Sequence, residues 1–420
     1  MLKRKANSVE REKWQSELLQ TLGRLALSLL IGAVGGLVGV AFHHSITVVN
    51  SLRAGYPWLI WCLPIAGVLI VALYKICKLY PDRGVNGIMD RERLNQPVPL
   101  RLTPVMFLST VLTQMCGGSA GREGAALQIG GSLGSLFSQR IGAWLKLDER
   151  SQRIGILCGM SAVFSALFGT PLTAALFCVE VIRVGALPHL GLFPCLVSSL
   201  TAFFIAQPLG GERILLQAAL ALPLQPALIL QAALLALLAG LVAILFCQVM
   251  HLGHRLYDKL GNNPYIHVVV GGVAVAGISA MLGTTAYNGA GMNLVEAAAA
   301  GDADWYAFLL KLALTALTMG AGFKGGEIVP CFAVGSTFGC TIAPLIGLDP
   351  GVGAVLGLSA VFCGVTNCPM ASILLGLELC GGQGAALFVT AALVSMFISG
   401  KCSLYASQQS TEPTAYATVV

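Results

Sequence analysis

The sequence predicts an all-α protein that crosses a membrane several times. Its 420 residues are 56% hydrophobic and 10% charged, whereas roughly a quarter of the residues of a soluble globular protein are charged. Too few polar side chains remain to cover a surface that faces water. A membrane helix needs roughly 20 apolar residues, and stretches of that kind recur along the whole chain. Helices are expected because they satisfy their own backbone hydrogen bonds in lipid.

The apolar stretches fall into two sets of five, and several contain Gly or Pro near the middle. These residues interrupt a helix inside the membrane, at 117–124, 169–171, 320–330 and 367–369. Interrupted helices at membrane depth commonly line a substrate cavity. The stretches are 27–50, 58–79, 103–137, 152–182, 188–207, 226–250, 266–285, 304–345, 352–380 and 384–400.

Two pairs of segments indicate that one half of the chain repeats the other. Residues 159–181 align without a gap with residues 357–379, and residues 118–132 align with residues 322–336. Two matches at nearly the same spacing indicate a duplication. The aligned pairs with chemical interest are Pro171 with Pro369, Glu180 with Glu378, and Glu123 with Glu327.

Five crossings are an odd number, so the second half is expected to be inverted relative to the first. We place the first membrane repeat at 24–208 and the second at 209–402. The charged residues 1–23 precede the first apolar stretch without a convincing cleavage site, which predicts a retained cytoplasmic helix. Residues 403–420 are expected to form a C-terminal helix and tail.

Composition and motifs argue against several function classes. The formal charge of +6 is spread along the chain, so nucleic-acid binding is not expected. The thirteen cysteines contain no CxxC pair and lie mostly in apolar runs, where cysteine packs as a small hydrophobe. His251 and His254 form an HxxH beside charged residues, which favours a solvated helix end over a metal site. We therefore expect no metal site and no cofactor.

One short motif is typical of an enzyme. The run GGSLG at 130–134 fits the GxSxG pattern around some serine nucleophiles and would make Ser132 the nucleophile of a membrane hydrolase. The repeat partner Ser336 keeps the serine and loses the motif. Small residues that pack helices explain both segments, so we do not expect an enzyme.

Glu123 is the first candidate for a functional side chain. It lies in GGSAGREGAALQIGG (117–131), where small residues end one helix and a second begins. Free backbone N–H groups at a helix start favour an anion, so this carboxylate and a diffusing anion would compete for one pocket. A proton arriving on Glu123 would free that pocket. The alternative is a structural salt bridge to Arg122 or Lys324.

Glu327 occupies the corresponding break of the second half, in GFKGGEIVPCFAVG, with Pro330 in the expected first helical turn. Two acidic side chains at related helix starts suggest that the protein handles protons. The alternative is an ion pair between Lys324 and Glu327. Glu180 and Glu378 recur at matched helix ends, and a capping role is as reasonable for them as a functional one.

Several motifs resemble one known family in the same order along the chain. GREGAALQIGG at 121–131 resembles the GREGP helix-start motif of the CLC chloride channels and transporters. GEIVP at 326–330 stands where that family has GxFxP, and Tyr405 matches its tyrosine near the end. The resemblance runs from about residue 24 to 410 and implies an inverted repeat with broken, re-entrant helices. No CBS domains are expected within the sequence.

Within that family the chain resembles the bacterial fluoride/proton antiporters more than the chloride branch. It shares with them the run GFKGGE and the pattern SGxxxxYxSQ around Tyr405, and it has GVNGI at 84–88 in place of GSGIP. Val181 occupies the place of the inner glutamate of chloride/proton exchangers. The resemblance thus implies fluoride export in exchange for protons, with chloride/proton exchange or a passive chloride channel as the alternative.

The same resemblance implies roles for individual residues. Glu123 would be the moving gate and proton carrier, Glu327 an inner proton relay, and the Tyr405 hydroxyl a donor to the anion. The alternatives are an interfacial aromatic anchor for Tyr405 and a plain turn for GVNGI. The anion path would be completed by Val85, Asn86, Gly87, Gly124, Ala125, Ile328 and Val329.

Two of these positions differ from the fluoride branch, which usually has Met or Asn at the position of Val85 and often Thr at that of Val329. The resemblance further implies a homodimer in the inner membrane of a bacterium, surrounded by lipid, with both termini in the cytoplasm. Its transported partners would be fluoride, or chloride, and protons.

Overall fold

The computed structural model describes residues 2–184, 189–216, 218 and 225–410, and this part of the chain is almost entirely helical. It confirms the all-α class. Two-residue strands at Arg183–Val184 and Gln409–Ser410 pair in parallel. The helices are α1 Leu2–Gly55, α2 Leu63–Ile76, α3 Gly84–Arg93, α4 Leu102–Met115, α5 Glu123–Trp144, α6 Arg150–Phe168, α7 Pro171–Glu180, α8 His189–Ala206, α9 Pro226–Asp258, α10 Pro264–Leu282, α11 Met292–Ala299, α12 Ala307–Gly320, α13 Ile328–Ile342, α14 Pro350–Thr366, α15 Pro369–Leu379 and α16 Ala385–Ser399.

Many of these helices have the length and composition of membrane spans. Six further apolar helices (α4, α7, α12, α14, α15 and α16) are shorter. Large apolar side chains such as Met281 and Phe397 are exposed on the outside of the fold, as expected for a surface that faces lipid. In the described residues the long apolar helices are Glu17–Gly55, Pro57–Ile76, Arg150–Phe168, Gly191–Leu209, Pro226–Asp258, Pro264–Leu282 and Ile328–Ile346.

All four expected helix breaks occur in the structure. In the first half α4 is separated from α5, and α6 from α7; in the second half α12 is separated from α13, and α14 from α15. Gly169 ends α6 in the left-handed conformation at φ +66°, and Pro171 begins α7. Asn367 ends α14 at φ +54° in the same conformation, and Pro369 begins α15. Such breaks commonly have a residue in the left-handed conformation after the first helix and a proline in the first turn of the second helix.

Helix α5 packs against α6, and α13 packs against α14, through contacts between glycines. A Cβ atom at any of these positions would overlap the backbone of the facing helix. Small residues therefore let the two helices approach closely, in both halves alike. The facing pairs are Gly130 with Gly159, Gly134 with Gly155, Gly335 with Gly357, and Gly339 with Gly353.

The chain ends differ from the expected organisation. Helix α1 runs without interruption from Leu2 to Gly55, so the expected boundary at residue 23 falls within one helix. Residues 403–408 form turns and not the expected C-terminal helix. Hydrogen bonds to distant parts of the chain hold them, because the N–H of Leu404 donates to Val365 O at 3.0 Å and the Gln408 side chain donates to Thr366 O at 2.6 Å. Residues 411–420 lie outside the described residues.

Candidate functional site

The two matching helix breaks meet at the centre of the molecule. The N–H of Gly121 donates to the carbonyl of Gly326 at 2.7 Å, and the N–H of Gly326 donates back at 3.0 Å. A Cβ at Gly124 would lie 2.9 Å from both the Gly325 carbonyl oxygen and the Gly326 Cα. The glycines of both runs are thus needed for this contact. It places the starts of α5 and α13, and with them Glu123 and Glu327, next to each other.

The Glu123 side chain is fully buried between these helix starts, with 0% of the residue exposed. Its Oε2 accepts a hydrogen bond from the backbone N–H of Arg122 at 2.9 Å, and the N–H of Val329 also faces the carboxylate. Its Oε1 has no hydrogen-bond partner in the described part of the chain. The carboxylate therefore occupies the position where free helix N–H groups would hold an anion.

Neither basic neighbour makes a close salt bridge with Glu123. The Nε of Arg122 lies 3.9 Å from Glu123 Oε1, and this guanidinium makes its hydrogen bonds to Glu212 and His43. Lys324 bonds to Asp82. The structural salt bridge is thus not the main role of Glu123 in this conformation.

The alternative ion pair between Lys324 and Glu327 does not form among the described residues. The Lys324 ammonium lies 2.7 Å from the carboxylate of Asp82 and 4.5 Å from the centre of the Tyr74 ring. Both partners come from the first half of the chain, and proximity in sequence did not reveal them. The Glu327 side chain is left to face a cavity.

This cavity has a volume of about 440 Å³ and brings together residues from several segments. Glu327 and Tyr405 line it from the second half, and Val85 and Asn86 line it from the start of α3. Glu123 is not part of the lining. The described structure thus puts Glu327 and Tyr405 at the cavity wall and buries Glu123 beyond it.

Tyr405 is held in this cavity by the non-helical segment around it. Its N–H donates to Ser403 Oγ at 3.1 Å, and the N–H of Ser407 donates to Asn86 Oδ1 at 3.0 Å. The ring is buried, and its hydroxyl has no hydrogen-bond partner in the described residues. An interfacial anchor would have its hydroxyl in the headgroup region, so the structure disagrees with that alternative. A buried, unused hydroxyl is a donor available to a ligand.

Three helix starts bring backbone donors to the positions that the sequence predicts for an anion path. In the first turn of a helix the N–H groups have no acceptor within the helix. In α3 the N–H groups of Val85 and Asn86 are therefore free. The run GVNGI at 84–88 lies within α3, so it is a helix start and not a plain turn. The N–H of Gly87, which the sequence places in the path, donates to Arg83 O at 3.3 Å and is not free. Among the described residues the other free groups are those of Gly124 and Ala125 in α5 and of Ile328 in α13, whereas the N–H of Val329 faces the Glu123 carboxylate.

A comparison with protein families matches residues 73–400 to a family model described as voltage gated chloride channel. The chain belongs to this CLC family. Among curated CLC relatives it is 32% identical to a chloride/fluoride channel protein of Pseudomonas syringae pv. tomato, over 94% of this chain and 88% of that protein. It is 26% identical to the H(+)/Cl(-) exchange transporter ClcA of Salmonella typhi, over 90% and 87% of the two chains.

Solved CLC structures agree with this fold. A CLC-type fluoride/proton antiporter superposes with a TM-score of 0.86 at 34% identity, covering 92% of this chain and 98% of that one. A slow cyanobacterial Cl-/H+ antiporter superposes with a TM-score of 0.76 at 21% identity, covering 90% and 96%. The chain is therefore a multi-pass membrane protein with the CLC fold.

Sequence reasoning missed a buried lysine in this CLC-family site. Lys311 of α12 is 0% exposed, and its ammonium donates to Ser119 Oγ, to Tyr287 O and to Gly289 O at 3.0, 3.1 and 2.7 Å. Ser119 lies in the break that leads to Glu123. The sequence contains a sign of this role, because Lys311 is a charged residue among the apolar residues of α12. Such a residue within a membrane segment is a candidate for function.

The serine and histidine singled out for the enzyme and metal alternatives make backbone contacts in the structure. The Ser132 hydroxyl donates to Pro99 O at 2.9 Å, so it serves a backbone contact. His254 Nδ1 contacts Met250 O at 3.0 Å in its own helix. No group of three or more His, Cys, Asp or Glu side chains in this part of the chain is arranged to hold a metal ion.

Proposed function

We propose that this protein is a fluoride/proton antiporter that exports fluoride from the cytoplasm in exchange for protons. The observation that carries the proposal is the buried Glu123 carboxylate, with an unpartnered Oε1, at the meeting point of the α5 and α13 starts. Support for fluoride comes from the two relatives of highest identity described above, a chloride/fluoride channel protein and a CLC-type fluoride/proton antiporter. Transport breaks no covalent bond, so we assign no enzymatic activity.

Glu123 is the gate in this proposal. In its charged form it occupies the place of the anion, since both are attracted by the same backbone N–H groups. Protonation neutralises the side chain and removes that attraction. An anion then enters the position that the side chain leaves. Movement of a proton and movement of an anion are thereby linked through one site.

Fluoride is small and strongly hydrated, so a dehydrated site must offer several close donors. First-turn N–H groups of three helices and the unused Tyr405 hydroxyl supply such donors. Glu123 Oε1, which lacks a partner, becomes an additional donor when it carries a proton. Fluoride accepts strong hydrogen bonds from such groups.

Glu327 is the proposed inner proton relay. Position 181, next to Glu180, is a buried valine and carries no proton. Glu327 lines the 440 Å³ cavity together with Tyr405, and it is the residue immediately before α13. A proton released from Glu123 therefore has an acidic acceptor in reach of water in that cavity.

We place the protein in the inner membrane of a bacterium, surrounded by lipid, with the cavity and both termini on the cytoplasmic side. We further propose a homodimer in which each subunit has its own path. The two membrane repeats are assigned to 24–208 and 209–402. A chloride/proton antiporter of the same fold is the second candidate, because Val85 and Val329 provide no polar side chain that would favour fluoride.

Reconstitution in liposomes tests the function directly. Liposomes loaded with equal concentrations of fluoride and chloride are diluted into a medium free of both, and each efflux is followed with an ion-selective electrode. The proposal expects fluoride to leave faster than chloride. Equal or faster chloride efflux supports the second candidate. Empty liposomes and liposomes with the Glu123→Gln variant serve as controls.

A further inference from the structure

A cluster of three polar side chains adjoins the gate and is not explained by the proposed function. Arg122 hydrogen-bonds to Glu212, and its Nη1 lies 3.1 Å from His43 Nδ1. His43 Nδ1 also lies 3.5 Å from Glu212 Oε2. The three residues come from α1, from the α5 start and from residues 211–216 after α8. None of them lines the 440 Å³ cavity.

The contacts of Arg122 divide between Glu212 and Glu123. The Arg122 side chain is 9% exposed and directs its Nη atoms to Glu212 and His43. Its Nε remains 3.9 Å from Glu123 Oε1, which is within ion-pair range and too far for a hydrogen bond. A small movement of the guanidinium toward Glu123 would supply the partner that Oε1 lacks.

Such a movement would matter for the gate. A hydrogen bond from a guanidinium to a carboxylate stabilises the charged form, and a stabilised, charged Glu123 would remain in the anion position. In the described part of the chain, Lys311 of α12 and Tyr405 also lie within electrostatic range of Glu123, and Glu327 stands at the neighbouring start of α13. The Lys311 ammonium makes its three hydrogen bonds to Ser119 Oγ and to two backbone carbonyls, whereas Arg122 already has an atom 3.9 Å from Glu123 Oε1.

We propose that Glu212 is a positioning residue, which holds Arg122 away from Glu123 and so keeps the gate ready to accept a proton. His43 supports this arrangement from α1 through its contact with Arg122. The Glu212 side chain is 31% exposed, so it connects this buried cluster to solvent. This inference rests on the proposed function, in which Glu123 is the gate and proton carrier.

The variant Glu212→Gln tests the inference in reconstituted liposomes. Without the charged partner, Arg122 pairs with Glu123, so proton-coupled fluoride flux near neutral pH should fall on the order of tenfold, the effect of one charge-assisted hydrogen bond. The flux should recover at lower pH, where protons compete better for the gate. A loss of correctly folded protein would reduce the flux by the same factor at every pH, so the shape of the pH dependence would not change.

Two further variants separate positioning from a general structural role. Glu296→Gln removes an exposed acid far along the sequence and should leave the profile unchanged. In the Arg122→Gln background, Glu212→Gln should have no additional effect, because there is no guanidinium left to hold. Arg122→Lys takes its place if Arg122→Gln is not recovered as monodisperse protein, since a lysine lacks the planar fork that contacts both Glu212 and His43.

The outcomes are distinct. An unchanged pH profile in Glu212→Gln, or an equal shift with and without the Arg122 substitution, would overturn the inference while the proposed function stands. If the wild-type protein moves no protons in response to a fluoride gradient, the proposed function fails, and this inference fails with it. A shift toward lower pH that disappears in the Arg122 variant supports the positioning role.

Discussion

Glu180, the last residue of α7, caps the start of α15, and Glu378, near the end of α15, caps the start of α7. The carboxylate at the end of α7 accepts hydrogen bonds from the first N–H groups of α15, and the carboxylate at the end of α15 accepts them from α7. The donors are Met370 and Ala371 for Glu180, at 3.1 and 2.8 Å, and Leu172 and Thr173 for Glu378, at 3.0 and 2.8 Å. Between the two roles considered for these glutamates, the geometry favours capping.

Replacement of Glu180 by Gln should destabilise the protein without changing proton coupling. An amide offers one acceptor oxygen where the carboxylate offers two, and it lacks the charge that favours a helix N-terminus. We expect a loss of about 1 kcal/mol, measured by thermal unfolding in detergent. Glu378→Gln should give a similar loss, and Glu296→Gln is the control. Loss of coupling in a fully folded Glu180→Gln protein would show that capping is not its whole role.

Replacement of Lys311 by Met should be more damaging than any substitution of an exposed lysine. It leaves the carbonyl of Gly289 without its side-chain donor, whereas the carbonyl of Tyr287 keeps a hydrogen bond from Ser119 Oγ at 3.1 Å; a buried unsatisfied group costs about 1–3 kcal/mol. We expect a strongly lowered unfolding temperature in detergent. The matched control is Lys259→Met, which replaces an exposed lysine at the end of α9. Equal stability of the two variants would contradict this account of Lys311.

Replacement of Tyr405 by Phe removes one hydroxyl and keeps the buried ring. Because that hydroxyl has no partner in the described structure, its loss should leave the unfolding temperature nearly unchanged. Fluoride efflux should fall roughly tenfold if the hydroxyl donates to the anion. Tyr74→Phe, which removes a buried hydroxyl bonded to Met106 at 3.1 Å, is the control. Wild-type efflux in Tyr405→Phe would take Tyr405 out of the anion path.

Replacement of Glu327 by Gln should stop proton movement while anion passage continues. The amide is similar in size and has no exchangeable charge, so it cannot relay a proton between Glu123 and the cavity. Fluoride-driven proton uptake into liposomes measures this effect. Since Lys324 pairs with Asp82, we expect no loss of stability from a broken ion pair. Unchanged proton uptake would remove Glu327 from the proton path.

The sequence predicted those features that depend on local chemistry. Clustered Gly and Pro residues weaken a helix locally, so the four breaks could be found from such clusters, and the glycine run at 117–124 marked the place of Glu123, although single residues such as Gly130 in α5 and Pro194 in α8 do not end their helices. The pairing partners could not be found in this way. Asp82 lies 242 positions from Lys324, and Glu212 lies 90 positions from Arg122. Only the packed fold determines which of several nearby charges a long side chain reaches.

The conformation of the segment around Tyr405 was also beyond sequence reasoning. The sequence predicts a C-terminal helix and tail at 403–420, after the apolar stretch 384–400. The backbone around Tyr405 instead bonds to Val365 and to the side chain of Asn86, which are distant in sequence. These tertiary hydrogen bonds override local helix propensity. They also place Tyr405 in the wall of the cavity.

The central claim is that Glu123 and the anion share one place, and that a proton on Glu123 decides which of them occupies it. The most direct measurement is proton movement against its gradient, driven by outward fluoride flow from liposomes, in the wild type and in Glu123→Gln. The account predicts uphill proton uptake by the wild type and none by the variant, because the amide neither binds nor releases a proton. Uphill proton uptake by Glu123→Gln at the wild-type rate would contradict it.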